Sequence, residues 1–191
     1  MSVKIHRRPL AYAHRLESRS SDCIKLVIIH CTELPDLAAA RVWGEKQVYL
    51  ESQTGNSGHF YIDRDGRVEE WVPVNRVAHH VRDFNKTTIG IELINNGRYP
   101  DWFRSDHQQM SEVYPEAQIE ALTTLVNQLV AQLPGLEVVA GHEDMDTGMQ
   151  PSEDNQDIMI RRKIDPGPLF PWSDFMARVL LNRWTSVNHE N

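Results

Sequence analysis

Two histidines follow short apolar runs, at the positions where an α/β sheet presents its functional groups. His30 comes directly after residues 24–29, and His142 follows residues 138–140 by one glycine. Neutral imidazole is the commonest metal ligand, and a catalytic zinc takes three protein ligands and keeps one open position. Asp165, fixed in direction by the proline after it, is the candidate third ligand. A hydrogen-bonded histidine at a strand end is the alternative for each, since HExxH and paired CxxC spacings are absent.

A single acidic residue, Glu92, interrupts the apolar run of residues 87–94. Burying an unpaired, ionised carboxylate costs several kcal/mol, so Glu92 either points to solvent or lies in a cleft as a general base with a raised pKa. Gly90 shares its face of the strand and leaves space beside it, which favours the cleft. Lys163 would lie on the same side of an extended segment as Asp165, where it could stabilise a developing oxyanion. A solvated basic run, RRK, is the alternative for this lysine.

The two cysteines, Cys23 and Cys31, are predicted to be free thiols. Across a strand they would lie roughly 26 Å apart at ~3.3 Å per residue, which is too far for a disulfide. Cys31 adjoins His30, but successive side chains of a strand point to opposite faces. We therefore expect Cys31 to be a small buried hydrophobe, not a metal ligand.

The apolar patterns that would position these residues alternate between strands and helices. An Asp-Gly pair at positions 65 and 66 predicts a tight hairpin turn. Strands are predicted at 24–29, 59–63, 67–72, 87–94 and 138–140, and helices at 35–50, 115–133 and 172–181. This order predicts an α/β fold with a central mixed β-sheet flanked by α-helices. Without internal repeats or low-complexity linkers, the chain is expected to form a single domain over residues 1–191.

Residues 143–162 are predicted to be a long loop between the second histidine and the lysine. Because a glycine and a proline inside it disfavour a regular helix, we expect a mobile lid over the cleft. The polar loop before the helix predicted at 115–133 carries the Trp and Tyr residues Tyr99, Trp102 and Tyr114. They either line a sugar- or peptide-binding groove or pack back on the core.

Composition excludes several classes of protein. The 191 residues include 20 Lys and Arg against 27 Asp and Glu, for a net charge of −7. An acidic chain is a poor binder of nucleic acid or of anionic membranes. No segment approaches the ~20 apolar residues of a membrane span. Residues 1–23 contain no apolar stretch of signal-peptide length, so the chain is predicted to be cytoplasmic, with export by a route that leaves no N-terminal signal as the alternative.

Six segments in order between residues 24 and 176 resemble the zinc-dependent N-acetylmuramoyl-L-alanine amidase type 2 family, which includes the peptidoglycan recognition proteins. They are VIIHCTE, SGHFYIDRDGRVEEWV, VAHH, TTIGIELIN, VVAGHEDM and RRKIDPGPLFPW. The resemblance implies hydrolysis of the bond between N-acetylmuramic acid and L-alanine by a zinc-bound water. The implied partner is peptidoglycan or a soluble anhydro-muropeptide. The implied site comprises zinc ligands His30, His142 and Asp165, catalytic residues Glu92 and Lys163, and a cleft histidine, His80, that contacts substrate or orients a ligand.

The chain also departs from the family pattern. Gly58 stands where phage lysozyme-like members carry a tyrosine, so the cytosolic recycling amidases are the closer comparison. His79 replaces a common tryptophan, and residues 143–162 are longer than the corresponding link. Two alternatives stay open: a non-catalytic peptidoglycan-binding module, and a phage- or effector-type lytic amidase acting on intact cell wall. Three competent ligand positions favour an enzyme, which we expect to be monomeric.

Overall fold

Nine strands and four helices make up the computed structural model, which describes residues 2–185. The strands are β1 (Ile5–Arg7), β2 (Leu26–Cys31), β3 (Phe60–Ile62), β4 (Val68–Glu70), β5 (Thr88–Leu93), β6 (Val138–Gly141), β7 (Met149–Pro151), β8 (Met159–Arg161) and β9 (Asn182–Arg183). The helices are α1 (Leu37–Gly44), α2 (Glu116–Gln132), α3 (His142–Met145) and α4 (Trp172–Arg178), with short 3₁₀ turns at Ala13–Arg15, Ser21–Cys23 and Asn85–Thr87.

One mixed sheet of seven strands forms the centre of the fold, in the order β1-β4-β3-β5-β2-β6-β9. Every neighbouring pair is parallel except the β3–β4 hairpin, whose Asp-Gly turn places Gly66 at φ +84°. Such a φ is favourable only for glycine. The predicted mixed α/β sheet is therefore confirmed.

The central strands β2 and β5 have two different faces. One, the packing face, lies against the apolar core, and the other carries the candidate functional residues. Val27, Ile29 and Cys31 of β2 join the apolar cluster under α2, together with the odd-numbered residues of β5. The opposite face carries His30 on β2, and Glu92 lies beside it in the β2–β5 register. Cys31 therefore points away from His30, as expected from strand alternation.

Helix α2 covers the packing face and confirms the helix predicted at residues 115–133. Its buried side chains include Ile119, Leu122, Leu125, Val126 and Leu129, each at most 5% exposed. Fully burying a side chain of this kind contributes about 1.5–3 kcal/mol, so α2 is a major contributor to stability. The candidate site lies on the opposite face of the sheet, where His30 and Glu92 are neighbours.

Helix α1 begins where predicted but ends early. The side chain of Asp36 caps it by accepting the amide of Ala39 at 2.7 Å. The prediction that it continues to residue 50 is wrong, because the helix ends at Gly44. Trp43 and Val48 lie at near-helical spacing in the predicted segment, but they are 47% and 52% exposed and do not continue the buried face of the helix.

The prediction that residues 143–162 form a loop without regular structure is also wrong, whereas their mobility as a lid stays a prediction. Helix α3 starts the segment, and β7 and β8 then pair as an antiparallel hairpin. Ser152 and Ile160 within it are buried. Only its ends, at Asp146 and Arg162, line the main cleft. Short strands containing Met and Pro carry little strand pattern, which explains the wrong prediction.

Two further expectations concern membrane spans and the number of domains. No helix within residues 2–185 is long and apolar enough to cross a bilayer. The single-domain prediction covers residues 1–191, of which positions 1 and 186–191 lie outside the described residues.

Candidate active site

Three buried side chains converge near the carboxyl ends of β2 and β6. Nδ1 of His30 lies 3.0 Å from Nδ1 of His142 and 3.1 Å from Oδ2 of Asp165. The third edge, from His142 Nδ1 to Asp165 Oδ2, measures 3.2 Å. Ligand atoms of a tetrahedral zinc, bound at ~2.0–2.1 Å, lie about 3.3 Å apart. The three residues singled out as ligands in the sequence therefore come together, and their donor atoms fit one tetrahedral metal ion.

The electrostatics of the three residues also suit a metal. Burial, followed by the neighbouring His142, lowers the pKa of His30 to about 4, so its imidazole is neutral at physiological pH. Burial by itself would raise the pKa of Asp165, but the charge and hydrogen bond of His142 hold that pKa well below its usual value. Its Oδ1 is buried without a hydrogen-bond partner in residues 2–185. A neutral imidazole and an ionised carboxylate are the forms that bind metal.

Glu92 lies in the same cleft as these three residues, not in bulk solvent. Burial, followed by the charge of Asp165, raises the pKa of Glu92 to about 8 against the opposing charge of Lys163. Gly58 makes room for the side chain, since a Cβ there would stand 2.7 Å from Glu92 Cγ. A carboxyl group whose pKa lies near neutrality is suited to proton transfer.

Lys163 also lines the cleft, on a segment anchored by a buried ion pair. Arg98, 1% exposed, donates from Nε and Nη2 to the two carboxylate oxygens of Glu33 at 2.7 and 2.9 Å. The same guanidinium donates to the carbonyls of Arg161 and Arg162, at 3.2 and 3.3 Å, just before Lys163. Sequence reasoning missed this pair, because two residues 65 positions apart have no characteristic spacing.

His80 lies against His30 and so beside the proposed ligands. Its Nδ1 is 2.9 Å from His30 Nε2, and its Nε2 is 3.1 Å from the hydroxyl of Thr88. Gly90 creates the space for this ring, because a Cβ there would stand 2.6 Å from it. The space that Gly90 leaves on this face of the strand is therefore occupied by the imidazole of His80. His80 also lines the cleft, so its substrate contact stays a prediction beside this orienting contact.

A fourth histidine near the site, His59, was missed by sequence reasoning. Its Nδ1 accepts the backbone amide of Gly90 at 3.0 Å, and its Nε2 lies 2.8 Å from Nη2 of Arg19. Burial, followed by the charge of Arg19, lowers the pKa of His59 to about 3. His59 therefore fixes the backbone on which His80 packs. Its position at the start of a predicted strand was the only available signal.

The cleft that joins these residues has a volume of about 730 Å³. Its walls beyond the candidate site include Trp43, Lys46, Tyr49, Arg82 and Trp102. A cleft of this size accommodates a ligand larger than one sugar or one amino acid. Of the three loop aromatics, Trp102 lines the cleft, while Tyr114 is buried and donates to the carbonyl of Pro166 at 2.7 Å.

Comparison with known proteins gives a family match that spans most of the chain. The model of the N-acetylmuramoyl-L-alanine amidase family matches residues 19–168. The chain is 28% identical over 184 residues to N-acetylmuramoyl-L-alanine amidase AmiD of Escherichia coli K12, covering 88% of this chain and 57% of that protein. It is 30% identical over 125 residues to 1,6-anhydro-N-acetylmuramyl-L-alanine amidase AmpD of Enterobacter cloacae, covering 61% and 53%. The chain thus spans just over half the length of these curated relatives.

Two solved structures resemble the fold. The complex of E. coli AmiD with anhydro-N-acetylmuramic acid-L-Ala-D-gamma-Glu-L-Lys matches with a TM-score of 0.64 at 26% identity, over 87% of this chain and 61% of that one. A selenomethionine AmpD structure matches with a TM-score of 0.65 at 22% identity, over 94% and 96%.

Proposed function

Since the chain belongs to the N-acetylmuramoyl-L-alanine amidase family, we propose that it hydrolyses the amide bond between N-acetylmuramic acid and L-alanine with the help of zinc. One observation carries the proposal: three donor atoms with mutual distances of 3.0 to 3.2 Å share a cleft with Glu92. Anhydro-muropeptides are the substrate class we infer, because a relative's structure holds one.

Each site residue receives a role from its geometry. His30 and His142 would hold zinc through Nδ1, and Asp165 through Oδ2. Bound zinc supplies a Lewis acid that polarises the amide carbonyl and promotes ionisation of water. Glu92 accepts a proton from the attacking water and passes it to the leaving amine of L-alanine. Lys163 stabilises the negative charge that develops on the carbonyl oxygen.

Two features support this division of labour. Burial gives Glu92 a pKa of about 8, so its carboxylate is a stronger base than one in water. His80 contacts Nε2 of His30, the ring nitrogen that does not face the other donor atoms. Metal-binding histidines are generally oriented by a contact of this kind. A non-catalytic binding module is the weaker alternative, because it would need neither a full set of donors nor a buried carboxyl group.

Incubation of the zinc-loaded chain with soluble anhydro-muropeptides and with intact sacculi tests the proposal. Mass spectrometry should find free peptides that begin with L-alanine. Faster cleavage of the soluble substrate would support a recycling role, and faster cleavage of sacculi a lytic role. The Glu92→Gln variant is the matched control, because it keeps the shape of the side chain. If wild type retained zinc and bound muropeptide without cleaving it, the chain would be a binding module.

Cytoplasmic location and the monomeric state stay predictions.

A further inference from the structure

Three aromatic side chains, Trp43, Tyr99 and Trp102, form a cluster that we call the aromatic platform. The ring centroids of Trp43 and Trp102 lie 6.0 Å apart at 83°, and those of Tyr99 and Trp102 lie 5.7 Å apart at 68°. Trp43 is 47% exposed and Tyr99 is 39% exposed. Both tryptophans line the same cleft as the candidate active site. Adjoining exposed aromatic rings in a cleft are typical of a binding surface.

The platform is held in place before any ligand arrives. The indole Nε1 of Trp102 donates to the carbonyl of Glu33 at 2.9 Å, three residues after His30. The ammonium of Lys46 lies 3.1 Å from the ring centroid of Trp43 and covers one face of that ring. Rings fixed in this way lose little conformational entropy on binding.

The hairpin of β7 and β8 braces the segment next to Trp102. The backbone amide of Glu153 donates to the carbonyl of Phe103 at 2.8 Å. Ser105 donates its backbone amide and its hydroxyl to the carboxylate of Asp154, both at 2.6 Å. The segment expected to be a lid therefore supports the platform from outside the cleft.

We propose that the aromatic platform binds a sugar ring of the glycan to which the scissile muramoyl residue is attached. The proposal rests on the proposed function, because an amidase substrate extends from the scissile bond either as glycan or as peptide. The apolar C–H face of a pyranose stacks on an exposed indole. The rings of Trp43 and Trp102 meet at 83°, so a pyranose between them would contact both. A peptide stem is recognised through its charged and amide groups, and the ammonium at the platform, that of Lys46, already lies against the ring of Trp43. The platform would therefore favour substrates with more than one sugar.

Titration with chitotetraose, a peptide-free oligosaccharide, tests the platform independently of amidase activity. Chemical shifts of the tryptophan indole N–H groups should change saturably in the zinc-loaded protein. Trp43→Ala should weaken binding about tenfold, and Trp43→Phe should restore most of it. Leu180→Ala is the control, since Leu180 is 82% exposed and lies outside the cleft. Absence of a saturable shift at the platform indoles would overturn the proposal, as would unchanged affinity in folded Trp43→Ala.

Kinetic measurements distinguish glycan binding by the platform from the proposed amidase activity. In Trp43→Ala, kcat/KM should fall about tenfold for a muropeptide with four sugars and stay nearly constant for one with a single muramic acid. If kcat/KM fell equally on both substrates, the platform would bind the peptide or support the fold. Either result would overturn the proposal. If wild type cleaved neither substrate, the proposed function would fail, and the chitotetraose titration would still decide the platform.

Discussion

Replacing Glu92 with glutamine should stabilise the metal-free protein while removing its activity. In the folded chain, burial raises the pKa of Glu92 to about 8, against an ordinary value of 4.5. As pH rises from 4.5 to 8, the unfolded chain releases this proton while the folded chain keeps it. The free energy of unfolding of wild type therefore falls across that window, by at most about 5 kcal/mol. Glutamine has no proton to release and should not show this fall.

Urea unfolding of chelator-treated protein at pH 5 and pH 8.5 measures the effect. The gap in unfolding free energy between Glu92→Gln and wild type should widen toward pH 8.5. Glu120→Gln is the matched control, since Glu120 is an exposed glutamate of α2 outside the cleft. Its unfolding free energy should follow wild type at both pH values.

The same variant tests the role of Glu92 in catalysis. Loss of a general base lowers turnover by roughly 10²–10⁴-fold, so zinc-loaded Glu92→Gln should be nearly inactive. Parallel stability curves for the variant and wild type would refute the reasoning about burial. Near-normal turnover in a folded, zinc-loaded variant would refute the assignment of Glu92 as the base.

Three further predictions follow from the contacts around the site. His142→Ala should lower zinc content well below one per chain in elemental analysis, because two donors remain; full occupancy would remove His142 from the ligand set. Arg98→Lys should reduce the free energy of unfolding by about 2–4 kcal/mol in urea titrations, since lysine cannot keep both bonds to Glu33; a loss below the error of the titration would contradict this. Replacing residues 152–157 with a Gly-Ser link should preserve zinc content but lower the urea midpoint of unfolding, because the Ser105–Asp154 bonds and the buried Ser152 disappear; an unchanged midpoint would show that the hairpin is a passive insertion.

The arrangement of the candidate site could be predicted where side chains follow the backbone closely. Parallel strands end at one edge of a sheet, so the positions of His30 and His142 after two apolar runs predicted that both lie at that edge. Alternation along β2 also separated Cys31 from His30. These inferences needed only the period of a strand and the position of each residue within it.

Contacts between distant loops could not be predicted in the same way. The Glu33–Arg98 pair joins two irregular segments, and His59 acts through the backbone of Gly90, so neither has a sequence pattern. The β7–β8 hairpin was hidden for another reason. Its strands are three residues each, too short for a periodic pattern to distinguish them from a loop.

The identity of the cleaved bond is the most direct test of the central claim. The zinc-loaded protein should be incubated with anhydro-muropeptide in H₂¹⁸O and the products analysed by mass spectrometry. One ¹⁸O atom is expected in the carboxylate of the muramic acid product, together with a peptide that has a free L-alanine amine. Label in the peptide or on a sugar carbon, with the muramoyl–alanine amide intact, would contradict it.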